Sequence, residues 1–180
     1  MTKRAMLVLS LLVLPGVAIA DRSFLEFDGG IGVIPVSNVT VAADGTVTVN
    51  ANVVRGVAPG GQIWVIEDLE ATISKDGHIR VEGRGLLLGG GNNIGFNANA
   101  SVYATLLCGN EQRSTPRAGV PLAPDGDFKI KDVLFPWSGD CEAPVLLIRS
   151  AGNDRWFAAG ILDDRKDHDD RKDHDRDHRY

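Results

Sequence analysis

Between residues 21 and 162 apolar positions alternate with polar ones over short spans, and no long stretch carries an apolar stripe at helical spacing. A period of two residues is the mark of strands with one face in a core. Three x-Asp-Gly triplets interrupt the alternation: Ala43-Asp44-Gly45, Lys75-Asp76-Gly77 and Pro124-Asp125-Gly126. Each predicts a hairpin. The side chains choose the register. With a two-residue loop at Asp76-Gly77, Ile73 would share a face with Arg80, mixing core and solvent on one side. A three-residue loop with a left-handed glycine at its third position instead pairs Ile73 with Ile79 and Ala71 with Val81. On the other face it sets Thr72 against Arg80 and Asp68 against Arg84. The same rule pairs Val41 with Val47 and Val39 with Val49 across the first turn, and Leu122 with Phe128 and Val120 with Ile130 across the third.

Further strands are expected at 31–41, at 62–73 as the longest, and at 78–86, 101–108, 145–150 and 155–162. A turn at Ala151-Gly152-Asn153-Asp154 separates the last two. About eight to ten strands with no room for crossover helices predict an all-β domain, an antiparallel two-sheet sandwich, with a closed β-barrel as the alternative. Trp64 lies opposite Ile63 and Val65 and is expected in the core under a loop. Glu67 falls among apolar positions, so it is expected to pair with an arginine or turn outward at a bulge.

The first 20 residues have a different pattern. Lys3 and Arg4 precede the apolar run from Ala5 to Leu14, Pro15-Gly16 breaks it, and Ala18-Ile19-Ala20 supplies small residues for signal peptidase. The run is shorter than the about 20 apolar residues that cross a bilayer. We read residues 1–20 as a signal peptide, 21–162 as the β domain, and the protein as secreted or periplasmic, without a transmembrane segment in the mature chain. Export gives meaning to the two cysteines, because a lone pair in an oxidising compartment closes. A Cys108–Cys141 disulfide is expected. The formal charge is −5 over the whole chain, and removal of Lys3 and Arg4 makes it −7. No basic stripe is present, so nucleic acid is not an expected partner.

Candidate chemistry in the body is sparse. The segment Leu86 to Gly95 is glycine-rich after a strand, but no Gly-Lys-Ser/Thr follows and the next segment alternates. It is read as a connection that can shape a ligand rim rather than a phosphate cradle. His78 is the body's single histidine and sits beside a turn, which leaves a Ser-His-Asp set without a base. Asp68 and Glu70 share a strand face, the one arrangement that suggests a carboxylate-dependent enzyme such as a glycan hydrolase.

From Asp163 the composition changes again. The hexamer Asp-Arg-Lys-Asp-His-Asp occurs at 164–169 and again at 170–175, and 163–180 holds eight Asp, six Lys or Arg, and three His. With no aliphatic side chain to bury, this tail is expected to be disordered. Its Asp-His-Asp units nominate His168, His174, His178, Asp167, Asp169, Asp173 and Asp175 as weak ligands for Zn, Ni or Cu. The flanking Lys and Arg charges oppose such binding, and a mixed-charge solvating segment is the simpler account. No other cofactor is expected. Taken together, the residues suggest an exported, non-enzymatic domain with a binding or structural role and a protein or glycan ligand. A metal-sequestering tail and a carboxylate enzyme are the alternatives.

Overall fold

The structure is a computed structural model describing residues 23–163. The expected signal peptide and the tail's metal ligands lie outside the described residues. Among these residues there is no helix. The strands are β1 (Ser23–Gly32), β2 (Val36–Val41), β3 (Val47–Ala51), β4 (Trp64–Val65), β5 (Asp68–Ser74), β6 (His78–Arg84) and β7 (Leu87–Leu88). They continue with β8 (Ser101–Cys108), β9 (Glu111–Ser114), β10 (Val120–Pro121), β11 (Phe128–Val133), β12 (Val145–Ser150) and β13 (Trp156–Leu162).

One continuous antiparallel sheet runs β10-β8-β12-β13-β1-β5-β6-β11, with β9 also on β8. It curls until its ends nearly meet, so the molecule is a nearly closed barrel rather than the two-sheet sandwich. At the seam Ser114 and Phe135 exchange two backbone hydrogen bonds of 3.0 Å. Alternation places Leu25 and Phe27, Ala71 and Ile73, Ile79 and Val81, and Phe128 and Ile130 inside. Glu26, Thr72, Arg80 and Lys131 stand on the outer wall. Small residues permit the tight curl. A Cβ on Gly83 would lie 2.2 Å from the Phe128 ring, and one on Gly32 2.1 Å from the Trp64 carbonyl oxygen. The segment at 52–61 packs on the start of β13. Its Asn52 and Ala58 carbonyls accept from the Trp156 Nε1 and backbone N–H, both at 3.0 Å.

All three Asp-Gly turns have the expected form. Gly45, Gly77 and Gly126 have φ of 86°, 86° and 87°. The Asp44, Asp76 and Asp125 carboxylates accept from the backbone N–H two residues on. The first two ladders show the register read from the sequence, including Asp68 opposite Arg84, joined at 2.6 Å. The third hairpin differs: β10 leaves its turn to pair with β8 and β11 pairs with β6, so Leu122 and Val120 do not ladder with Phe128 and Ile130. The expected long strand 62–73 is broken after Val65, and the strand expected at 31–41 is split between the end of β1, ten residues long and starting at Ser23, and β2. At the break Glu67 turns outward and is exposed. Cys108 and Cys141 form the expected disulfide.

Candidate functional site

At the barrel end where β8 starts and β12 finishes lies a cleft of about 690 Å³. Its floor is Trp64 of β4 stacked on Phe157 of β13, with ring centroids 4.0 Å apart and planes 13° from parallel. Gly60 allows this stack, since a Cβ there would lie 3.1 Å from the Phe157 ring and 3.2 Å from Trp64. Trp64 is buried in the core while Ile63 and Val65 on the other face are exposed, the reverse of what their alternation with Leu69 implied, because the strand breaks between Val65 and Asp68. Its indole N–H nevertheless differs from the other two. Trp156 Nε1 donates to Asn52 O, and Trp137 Nε1 to Lys75 O. No group among the described residues accepts from Trp64 Nε1, yet the sole sealed, unpartnered side-chain polar atom among them is Arg113 Nε. The Trp64 N–H is therefore not sealed, and Trp64 lines the cleft.

One wall is the loop from Gly89 to Ala100. Asn97 holds it in shape: its Nδ2 donates to Leu122 O at 3.1 Å and Ala123 O at 2.9 Å, while its Oδ1 accepts from Asn99 N at 2.9 Å. Two successive left-handed residues result, Ala98 (φ 53°) and Asn99 (φ 49°). A left-handed alanine costs about 1–2 kcal/mol, which the Asn97 clamp must offset. The glycine-rich segment does contribute to the rim, through Asn93.

The facing wall is the turn 151–154 after β12. Ala151 N donates to Ser101 O at 2.8 Å, which ties the two walls together, and Ser150 Oγ accepts from Gly152 N. Behind the turn the buried Arg149 donates to Asp154 O from Nε at 2.9 Å and Nη2 at 2.7 Å, reaches Gln112 Oε1 at 3.2 Å, and lies over the Tyr103 ring. The Asp154 carboxylate accepts from Tyr103 Oη at 2.7 Å and Arg117 Nη1 at 3.0 Å. Burial, followed by this hydrogen bond, pushes the Tyr103 hydroxyl up to about 12. The charges thus fix the wall from behind, and no charged side chain among the described residues lines the cleft itself. Gln62, Asn93, Asn99 and Asn153 offer amides, and Ser101 and Ser150 hydroxyls.

This arrangement can hold an uncharged hydrogen-bonding ligand; it supplies no acid, base or activated nucleophile. His78 is exposed beside Asp76, 3.5 Å away, and opens onto a separate groove of about 780 Å³ on the outer sheet with Glu26, Arg80 and Lys131. Asp68 and Glu70 line a smaller outer hollow of about 280 Å³, where Arg84 pairs with Asp68 and Lys129 with Glu82 at 2.9 Å. The Lys129 ammonium holds Glu82 below the usual carboxylate range. No group of three or more His, Cys, Asp or Glu among the described residues is placed to hold a metal. The cleft was not read from the sequence because its lining comes from five separated segments; the consecutive Asn-rich stretch at 92–99 was the one local signal. No helix among the described residues is long and apolar enough to cross a membrane. No protein-family model, curated protein or solved structure matches the chain.

Proposed function

We propose that the chain is an exported, non-enzymatic binding domain that takes a neutral glycan in the barrel-mouth cleft. The observation that carries this reading is the uncharged lining: amides and hydroxyls around a buried aromatic floor whose Trp64 N–H has no acceptor among the described residues. A hydroxyl-dense ligand offers donors and acceptors together, which a ring of amides can satisfy in both directions. Two arguments favour a small ligand over a protein surface. The volume lies within the about 300–1,000 Å³ of small-molecule sites. A protein partner would need roughly 800 Å² on each side. Export is supported by the signal-like leader and the disulfide. The carboxylate-enzyme reading gains nothing from a cleft without a carboxylate.

A panel of neutral, acidic and basic glycans, presented to the purified protein and to Ala118→Trp, tests the proposal. Ala118 is exposed on the rim, so a tryptophan there fills the opening without entering the core. Retention of neutral glycans by the parent and loss of at least about tenfold in affinity in the variant, about 1.4 kcal/mol, is the expected result. Retention of charged glycans alone, or equal binding by both proteins, would refute the assignment.

A further inference from the structure

The β2–β3 hairpin is a separate two-stranded sheet, and the four pairs of its ladder nearest the turn each join a residue to its own kind. Asn38 faces Asn50, Val39 faces Val49, Thr40 faces Thr48 and Val41 faces Val47. Read outward from the turn, both strands spell Val-Thr-Val-Asn. The four valines share one face and are 55%, 59%, 67% and 61% exposed at Val39, Val49, Val41 and Val47, values that belong to no core. On the opposite face Asn50 Nδ2 donates to Asn38 Oδ1 at 2.6 Å beside the two threonines. From Val36 to Ala51 the one charged residue is Asp44, in the turn, and there is no Lys or Pro. Edge strands are ordinarily blunted by those residues, and a lone ribbon is marginal in water.

We propose that this hairpin docks, valine face to valine face, on the same hairpin of a second copy of the chain. A two-fold contact requires a patch complementary to itself. The four valines form a rectangle that reads the same from either strand and either end, so an identical rectangle meets it in register. No like charges oppose one another across the contact. The threonine and asparagine face keeps its hydrogen bonds to water. The patch is smaller than the roughly 800 Å² per partner of a stable interface, so the dimer forms reversibly with concentration.

Sedimentation of the purified protein over about 10–500 µM, the range suited to an interface below standard size, gives the first test. The average mass climbs toward that of two chains. Val41→Thr with Val47→Thr keeps the β-branched shape while adding hydroxyls, and shifts association to at least about tenfold higher concentration. A protein that stays monomeric throughout, or a variant that associates as well as the parent, overturns the proposal; the latter would mean pairing through strand edges or another surface. Single-cysteine variants give a second readout. A mixture of Val49→Cys with Val39→Cys or with Val47→Cys, the positions that an in-register two-fold contact sets against it, is expected to yield disulfide-linked dimers on mild oxidation and a mixture of Val49→Cys with Thr48→Cys not to, and equal yields overturn the proposed face. The hairpin stands outside the barrel core, and an unchanged melting temperature verifies that each variant is folded.

Discussion

Alanine at the glycine of each Asp-Gly turn separates backbone cost from packing cost, because three turns of one geometry sit in three surroundings. With φ near 86° at all three, a Cβ costs about 1–2 kcal/mol before any contact is counted. At Gly45 the methyl meets nothing within 4 Å. At Gly77 it would lie 2.6 Å from the Trp137 ring, which is held by its N–H to Lys75 O at 2.9 Å and meets Phe24 edge-on. The ring can tilt, so overpacking adds roughly 1–2 kcal/mol. At Gly126 the clash is with backbone, 2.5 Å from Leu86 N and 2.7 Å from Leu86 O, and it breaks the 3.1 Å bond from Leu86 N to Gly126 O. Overpacking of about 1–3 kcal/mol and a lost hydrogen bond of about 1 kcal/mol then add to the backbone cost. Expected losses are about 1–2, 2–4 and 3–6 kcal/mol for Gly45→Ala, Gly77→Ala and Gly126→Ala. The first is an upper bound for the barrel, since its hairpin stands apart. Urea unfolding with the disulfide intact measures all three, a loss of 2 kcal/mol moving the midpoint by roughly 1 M. Three equal shifts, or Gly126→Ala milder than Gly45→Ala, would show that contacts around the turns do not set the cost.

Three further outcomes are expected. Tyr103 is neutral in the fold up to about 12, whereas its unfolded hydroxyl ionises near 10, so the stability contributed by its neutral form is fully present below pH 10 and is lost as pH rises toward 12. Tyr103→Phe should abolish that alkaline slope in a stability–pH profile, and a profile identical to the parent's would contradict the assignment. Replacing Cys108 and Cys141 with alanine should cost about 3–4 kcal/mol by chemical denaturation, from the loop of 33-residue separation that the bond closes; a loss below 1 kcal/mol would count against it. For the tail, calorimetric titration of Zn, Ni and Cu into the full chain and into a chain ending at Leu162 should give equal heats if it is the mixed-charge solvating segment, and weak binding lost on truncation would make its histidines the ligands. Heat that survives truncation would remove the tail histidines from consideration.

What the sequence made legible was local. The Asp-Gly turns fixed two hairpin registers because cross-strand burial leaves a single tolerable alignment, and Ser101–Cys108 and Val145–Ser150 match their strands to the residue. Long-range events decided the rest. The strand expected at 62–73 breaks because its first half leaves the main sheet for β7 and crosses Gly32, a contact 32 residues away that no local pattern announces. The third hairpin opens because β8 competes for β10. Sandwich and barrel use the same alternating strands, and the choice lay in which neighbour each strand took. The cleft was illegible for the same reason: its amides become neighbours only when β8, β12 and β13 are adjacent.

The seam of the barrel has one further consequence. Every other junction of the main sheet is a ladder, but among the described residues this one has the Ser114–Phe135 exchange, with Gly109 N donating to Glu142 O at 2.7 Å and Arg113 reaching Asp140 O and Ser138 Oγ. It is stitched at both ends by the chain itself: at the Ser101 end by the short turn that carries β10 into β11, and at the Cys108 end by the bond from β8 to Cys141 in the loop after β11. An oxidised molecule is thus a hoop, and thermal motion can only part the seam and close it again. Cutting the sulfur stitch leaves that end held by hydrogen bonds alone, so the seam parts more often and bares two strand edges to neighbouring molecules. Reduction would then show itself first as stickiness, before any measurable loss of strand content.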